Sequence, residues 1–165
     1  MDKAYADTVR LLLTVAPDVF INDIFALKGG TALNLFLHDM PRLSVDIDVV
    51  YTPWQTPREQ ALAEIAGELD AIAKRLDRLG LRTRKIAADG MGDTKLLVET
   101  ESAQVKIEVN TVFRGTALPI ERRVLSPQTA DVFSVELELP TLTPAELYGS
   151  KLVAALDRQH PRDLF

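Results

Sequence analysis

The sequence predicts an α/β fold in which helices flank a mixed β-sheet. Segments of strand character alternate with segments of helical periodicity along the chain. The segments 94–99 and 104–110 both suit strands, and the four residues between them suit the turn of a hairpin. The segment 62–79 instead repeats apolar residues at intervals of three and four, which indicates an amphipathic helix lying on a sheet.

The composition limits the chain to one ordinary hydrophobic core. Of its 165 residues, 47% are hydrophobic and 26% are charged, which favours a single domain over residues 1–165. The absence of cysteine excludes a disulfide framework and thiolate metal sites. Since His38 and His160 are the only two histidines, a bound metal would depend mainly on carboxylate oxygens, which favours Mg²⁺ or Mn²⁺ over Zn²⁺.

Hydropathy and charge limit where in the cell the protein is expected and which classes of partner it is expected to bind. The N-terminus lacks the basic start and apolar run of a secretion signal, and no segment approaches the roughly 18 apolar residues of a membrane span. We therefore expect a cytoplasmic protein with no membrane partner. The net charge of −5 argues against a broad basic surface for nucleic acid, although one local patch could still bind it.

The first part of the chain predicts two helices and two strands. Residues 4–15 suit a helix that ends before Pro17, and residues 24–27 suit a short strand. A glycine turn over residues 28–31 leads into a short buried helix over 32–37. A strand is then predicted over 43–51, with its acidic residues on one face.

The best-marked helix begins at Thr56. Thr56 suits the N-cap, Pro57 the first helical position and Glu59 the closing position of a capping box, while Gly80 marks the end. The apolar stripe of this helix leaves Glu64, Glu68, Lys74 and Arg75 on other faces.

The rest of the chain predicts five strands and a final helix. The strands are expected over residues 81–86, 94–99, 104–110, 119–124 and 135–139. Thr143, Pro144 and Glu146 repeat the capping arrangement and open a helix that carries Lys151.

The most informative motif is the pair Asp46 and Asp48. Side chains two residues apart on a strand point the same way, about 7 Å apart. Two carboxylates so placed can share the metal ions that bridge triphosphate oxygens and activate a hydroxyl. The alternative is an exposed, solvated strand face. Against it, aspartate is disfavoured in strands, and two aspartates on one face repel each other unless a positive charge lies between them.

The glycine turn before this pair suits a phosphate. Gly29 and Gly30 would let backbone N–H groups approach an anion, and the following helix would present its positive end to the same group. Thr31 could bind phosphate through its hydroxyl or simply start the helix. Ser44, on the predicted face of Asp46, could touch the triphosphate or be a polar edge residue. Alone, two glycines between a strand and a helix are most often just a turn.

The segments 27–33 (LKGGTAL) and 42–48 (RLSVDID) resemble the AbiEii/MenT-type nucleotidyltransferase toxins within the DNA polymerase β superfamily. That superfamily has a third carboxylate on a later strand, which Glu108 matches within 105–110 (VKIEVN). The toxins also have a helical lysine followed by an Arg-Asp pair, which Lys151 and Arg162-Asp163 match. The resemblance runs from about residue 27 to the last residue. Longer relatives continue into a helical C-terminal part.

The resemblance implies transfer of a nucleoside monophosphate from a nucleoside triphosphate to an acceptor hydroxyl. Asp46, Asp48 and Glu108 would hold Mg²⁺ or Mn²⁺, Lys151 would offset triphosphate charge, and Asp163 would complete the pocket. The implied acceptor is RNA, specifically tRNA, and the implied partner is an antitoxin protein. Lys151 could instead be a solvated helix lysine, and Asp163 a cap or a surface ion-pair partner.

Two other classes of function remain open at this point. A nucleotide-binding regulatory module would keep the metal site without turnover. An interaction protein would use the acidic strand only to meet a basic partner, and it would show no Mg²⁺-dependent binding of nucleoside triphosphate.

Overall fold

The computed structural model describes residues 2–40, 44–88 and 92–158. Within these ranges the helices and strands follow in this order: α1 (Lys3–Val19), β1 (Phe25–Lys28), α2 (Gly29–Thr31), a π-helix (Ala32–Leu37), β2 (Ile47–Tyr51), α3 (Arg58–Arg78), β3 (Arg82–Ala88), β4 (Gly92–Glu99), β5 (Gln104–Asn110), β6 (Glu121–Val124), α4 (Pro127–Phe133), β7 (Glu138–Thr141) and α5 (Pro144–Arg158). The predicted α/β fold is confirmed.

The strands form one mixed sheet in the order β3-β4-β5-β2-β1-β7-β6. Strand β2 pairs antiparallel with β1 and parallel with β5, so the acidic strand lies near the centre of the sheet. The predicted hairpin is confirmed as the antiparallel pair of β4 and β5. A central position fixes the acidic strand from both sides, because its backbone hydrogen bonds are made to two neighbours.

Helices α1 and α3 cover one face of the sheet. Helix α3 packs on β3 and β4, and α1 packs on β5 and α3. In β5 the residues Val105, Ile107 and Val109 are buried, while Lys106 and Glu108, which alternate with them, are half-buried. Successive side chains of a strand point to opposite faces, so these two charged residues point away from α1 and α3.

Helix α1 is longer than predicted, because Pro17 lies inside it and not beyond its end. A proline in the last turn removes only one backbone hydrogen bond there. Val15, Ala16 and Val19 are almost fully buried in the core. Their burial is worth more than the lost bond, so the helix continues through the proline to Val19.

The start of α3 also differs from the prediction. The N-cap is Pro57 and not Thr56, and no side chain caps the helix. The end is as predicted: Gly80 has a φ of +77°. Its N–H donates to the carbonyl of Asp77 at 3.0 Å, and the N–H of Leu81 donates to Leu76 at 3.1 Å. This is the Schellman arrangement, which glycine favours because it adopts positive φ without strain.

Glu68 was predicted to lie off the buried stripe of α3, and this was wrong. Its side chain is only 7% exposed. It accepts from Arg75 Nη2 at 2.6 Å and from the side-chain amide of Asn22. Arg75 also donates to the carbonyl of Asp18 at 2.7 Å. A buried carboxylate is tolerated when it is paired and hydrogen-bonded, so this network joins α3 to the end of α1.

Replacing Arg75 with alanine is expected to destabilise the protein by about 3 kcal/mol, because it leaves the buried Glu68 carboxylate without its cation. Chemical denaturation by urea measures the change. The exposed Lys74 next to it is the matched control, and Lys74→Ala should change stability by less than about 0.5 kcal/mol. Equal effects of the two substitutions would contradict the assignment of this network.

Two features near the C-terminal half were not predicted from the sequence. Helix α4 was missed, although Ser126 caps it by accepting from Thr129 N–H at 3.3 Å and Pro127 occupies its first turn. At α5, Thr143 accepts from Glu146 N–H at 3.4 Å as expected of a cap. The Glu146 carboxylate does not close the capping box but accepts from the N–H groups of Ala117 and Leu118 at 2.7 and 3.3 Å. These two hydrogen bonds connect the loop between β5 and β6 to α5.

The described residues contain no helix that is both long enough and apolar enough to span a bilayer.

Candidate active site

A row of charged side chains crosses the centre of the sheet. Asp48 on β2 lies opposite Lys28 on β1 and opposite Glu108 on β5. Glu108 in turn lies opposite Lys95 on β4. Directly opposite residues on neighbouring strands point to the same face. Asp48 and Glu108 are therefore neighbours on the face that α1 and α3 leave uncovered.

Asp46 lies just before β2, not within it as predicted. The strand begins at Ile47. Thr31 is fully buried, and its hydroxyl donates to the backbone carbonyl of Asp46 at 2.5 Å. This bond from a buried side chain holds the Asp46 backbone in place. This geometry gives the Thr31 hydroxyl a positioning role.

The side chains of Asp48 and Ser44 lie close against Gly29 and Gly30, respectively. A Cβ on Gly29 would be 2.3 Å from Asp48 Oδ2, and one on Gly30 would be 2.5 Å from Ser44 Oγ. Gly29 also has a φ of +75°, which other residues rarely adopt. The turn was predicted to precede the helix, but Gly29 and Gly30 form the first turn of the helix itself. The glycines bring this turn into contact with Asp48 and Ser44.

The charges around Asp48 are unbalanced. Burial raises the pKa of the Asp48 carboxyl, and the nearby carboxylates of Asp46 and Glu108 raise it further, against the opposing charges of Lys28 and Lys106. Burial also lowers the pKa of Lys28, although Asp48 and Glu108 act to raise it. Asp46 and Glu108 therefore each repel the ionised carboxylate of Asp48. An added cation would relieve this repulsion.

Lysines already contact the other two acids. Lys106 Nζ lies 2.9 Å from Glu108 Oε2 and 3.7 Å from Asp46 Oδ2. Lys95 Nζ lies 3.1 Å from Glu108 Oε1. Burial acts to raise the pKa of Glu108, but the hydrogen bonds and charges of Lys106 and Lys95 lower it overall. The hydrogen bond to Glu108 raises the pKa of Lys106, against the effect of burial.

The donor chemistry of the site fits a hard divalent cation. Asp46, Asp48 and Glu108 offer carboxylate oxygens, the ligands that Mg²⁺ and Mn²⁺ prefer. In the described part of the chain, no three acidic or histidine side chains converge as a ready metal cage. Both Glu108 oxygens are bound by lysines. A metal shared by the three acids therefore requires their side chains to move closer together, in competition with these lysines.

Lys151 lies on α5, which packs against α2 and the π-helix. Tyr148, one turn earlier on the same helix, hydrogen-bonds His38 Nε2 through its hydroxyl at 2.5 Å. Residues three apart lie on one helix face, so Lys151 lies on the same face of α5 as Tyr148, which contacts the end of the π-helix. Asp163 and Arg162, which complete the predicted motif, lie outside the described residues, as does Arg42.

Sequence reasoning assigned no role to three lysines of the site, Lys28, Lys95 and Lys106. A signal was present for two of them: Lys28 directly precedes the glycines, and Lys106 is two residues before Glu108 and so on its strand face. Lys95 carried no such signal, because only the register between β4 and β5 brings it to Glu108.

Comparison with known proteins identifies the family and a similar fold. MenT4, a nucleotidyltransferase toxin from Mycobacterium tuberculosis H37Rv, has a similar fold, with a TM-score of 0.59 and 22% sequence identity. The match covers 92% of this chain and 54% of MenT4, so this chain spans about half the length of that protein. None of the curated proteins matches the chain significantly. The family model of the nucleotidyl transferase AbiEii toxin of type IV toxin–antitoxin systems matches residues 10–165. Because that match extends over nearly the whole sequence, the chain belongs to the AbiEii family of nucleotidyltransferase toxins.

Proposed function

We propose that this chain transfers a nucleoside monophosphate from a nucleoside triphosphate to an acceptor hydroxyl, with Mg²⁺ or Mn²⁺ as cofactor. The observation that carries the proposal is the contact of Asp48 with Gly29 on one side and its register with Glu108 on the other. Acids beside a glycine-led helix start combine donors for a cation with N–H groups for a phosphate. Membership of the family supports the reaction type.

Asp46, Asp48 and Glu108 would hold the metal. When bound, the metal would neutralise triphosphate charge and favour ionisation of the attacking hydroxyl. Such a cation would also stabilise the ionised form of Asp48, whose pKa is raised by burial and by the two neighbouring carboxylates. Thr31 would keep Asp46 in place through the hydrogen bond to its carbonyl.

The triphosphate would lie along the glycine turn. Gly29 and Gly30 would contribute backbone N–H groups, and Ser44, next to Gly30, would contribute its hydroxyl. Lys151 would offset triphosphate charge from α5, and Asp163 would complete the pocket. Lys28 adds a positive charge to the same row of the sheet. Catalysis would rest on positioning and electrostatics, as is general for transfers of this kind.

The acceptor we propose is RNA, specifically tRNA. The partner we propose is a separate antitoxin protein, because the family is one of type IV toxin–antitoxin systems. The reaction would take place in the cytoplasm. The continuous hydrophobic cluster, which includes residues from α1, α3, α5 and the sheet, supports one nucleotidyltransferase domain over residues 1–165.

The proposal is tested by incubating the protein with each radiolabelled nucleoside triphosphate, Mg²⁺ and total RNA. We expect label to appear in RNA with the wild type and the transfer to be lost with Asp46→Asn. The control is Asp131→Asn, at an exposed position of α4, which should transfer label as the wild type does.

The same assay separates the other classes of function. Binding of nucleoside triphosphate without pyrophosphate release would indicate a nucleotide-binding regulatory module. No Mg²⁺-dependent binding at all would indicate an interaction protein. Label transfer that survives Asp46→Asn would show that the acids are not the catalytic centre.

A further inference from the structure

Lys106 is the lysine that contacts two of the three acids at once. Its Nζ is 2.9 Å from Glu108 Oε2 and 3.7 Å from Asp46 Oδ2, and its side chain is 33% exposed. Lys95 contacts Glu108 alone among these acids, at 3.1 Å. The ammonium group of Lys106 therefore lies beside carboxylate oxygens of both Asp46 and Glu108.

This contact reduces the repulsion within the cluster. Asp46 lies before β2, outside the strand. The charge of Lys106 attracts its carboxylate, and the hydrogen bond from Thr31 holds its backbone carbonyl. Lys106 and Glu108 are two residues apart on β5 and share a face. Strand β5 therefore carries both Glu108, a candidate metal ligand, and Lys106, the cation that pairs with it.

An ammonium group and a divalent cation compete electrostatically for the same carboxylate oxygens, because each is stabilised by the negative charge that the other neutralises. Mg²⁺ binds oxygens at about 2.0 to 2.1 Å, and Mn²⁺ takes the same kind of ligand. A lysine beside the same oxygens repels the metal. Lysine is also a strongly hydrated point charge on a flexible four-carbon stem, and the partial exposure of Lys106 allows the ammonium to move into solvent.

We propose that Lys106 competes with the divalent cation for the carboxylates of Asp46 and Glu108, so that metal binding displaces its ammonium and the lysine lowers the metal affinity. This inference rests on the metal site of the proposed function. It distinguishes Lys106 from Lys95, which contacts Glu108 without contacting Asp46.

The test measures Mn²⁺ binding at fixed pH and ionic strength and without nucleotide, by electron paramagnetic resonance of free Mn²⁺ and by calorimetry. Lys106→Met is expected to bind Mn²⁺ more tightly, roughly 2- to 5-fold, the range expected when a partly exposed ion pair is removed. Lys106→Arg should return the affinity towards that of the wild type. Lys95→Met should give a smaller gain, because Lys106 remains beside Asp46.

The sign of the effect separates competition from a merely structural role. If Lys106 only supported the fold, its loss would weaken Mn²⁺ binding, so weaker or unchanged binding in Lys106→Met overturns the proposal. Circular dichroism confirms the fold of each variant, and Lys106→Gln carries the same expectation if Lys106→Met does not fold. Asp48→Asn should lose Mn²⁺ binding. Absence of Mn²⁺ binding in the wild type would overturn the metal site and this inference together, whereas a failure in the Lys106 variants alone overturns only this inference.

Discussion

Gly29→Ala is expected to lower nucleotidyl transfer by at least about 100-fold, the loss that a displacement of about 1 Å can cause in a catalytic group. The new Cβ would lie 2.3 Å from Asp48 Oδ2 and 3.0 Å from Asp48 Cβ. One of the two groups must move, and β2 holds the Asp48 backbone between two neighbouring strands. The φ of +75° at Gly29 adds strain of about 1 to 3 kcal/mol for a residue with a side chain.

Label transfer to RNA and thermal unfolding measure the two effects of Gly29→Ala separately. The matched control is Gly67→Ala, since Gly67 lies inside α3 and a Cβ there would meet nothing within 4 Å. Alanine at this position should leave transfer unchanged and stabilise the helix by up to about 1 kcal/mol. Activity of Gly29→Ala close to that of the wild type would contradict the close approach of the glycine turn to Asp48.

Asp48→Asn is expected to lower nucleotidyl transfer by roughly 100- to 1000-fold, the loss typical when one preorganised electrostatic group is removed. In the absence of metal the same substitution should stabilise the fold. Burial and the carboxylates of Asp46 and Glu108 disfavour the ionised form of Asp48 and raise its pKa. Asparagine has nearly the same shape without the charge, so it removes this cost. Activity and stability should therefore change in opposite directions.

The pH dependence of Asp48→Asn follows from the raised pKa. The unfolded chain loses the Asp48 proton at the ordinary value, and the folded chain keeps it to higher pH. Between these two pKa values the folded state binds more protons, so the stability of the wild type falls as pH rises. The advantage of Asp48→Asn should grow through this window and be constant above it. Below the unfolded pKa the two proteins should have similar stability.

Urea denaturation of metal-free protein across this pH range measures the difference for Asp48→Asn. Asp131→Asn, at an exposed position of α4, controls for the loss of one negative charge from the whole protein. Addition of Mg²⁺ should stabilise the wild type more than Asp48→Asn, because a ligand stabilises the state that binds it. A variant that is less stable than the wild type at neutral pH without metal would show that Asp48 is not under electrostatic strain.

Much of the fold could be predicted from local patterns. The hairpin of β4 and β5, the stripe of α3 and the glycine that ends it all depend on residues within one short segment. Where tertiary contacts override local preference, the predictions were wrong. Pro17 did not end α1 because the residues around it are buried, and Glu68 can be buried because Arg75 and Asn22 both hydrogen-bond its carboxylate.

The sequence by itself determined the chemical inventory of this protein: an acidic pair two residues apart, a pair of adjacent glycines upstream of it, and a composition that leaves metal binding to carboxylates. Only the tertiary structure decided which charges meet. The parallel pairing of β2 with β5 brings Glu108 to Asp48, and the bond from Thr31 fixes Asp46 outside the strand. The contact of Lys95 with Glu108 and that of Lys106 with Asp46 also depend on strand register. Register is set by the burial of one face of the whole sheet, and the local sequence around each charge does not contain that information.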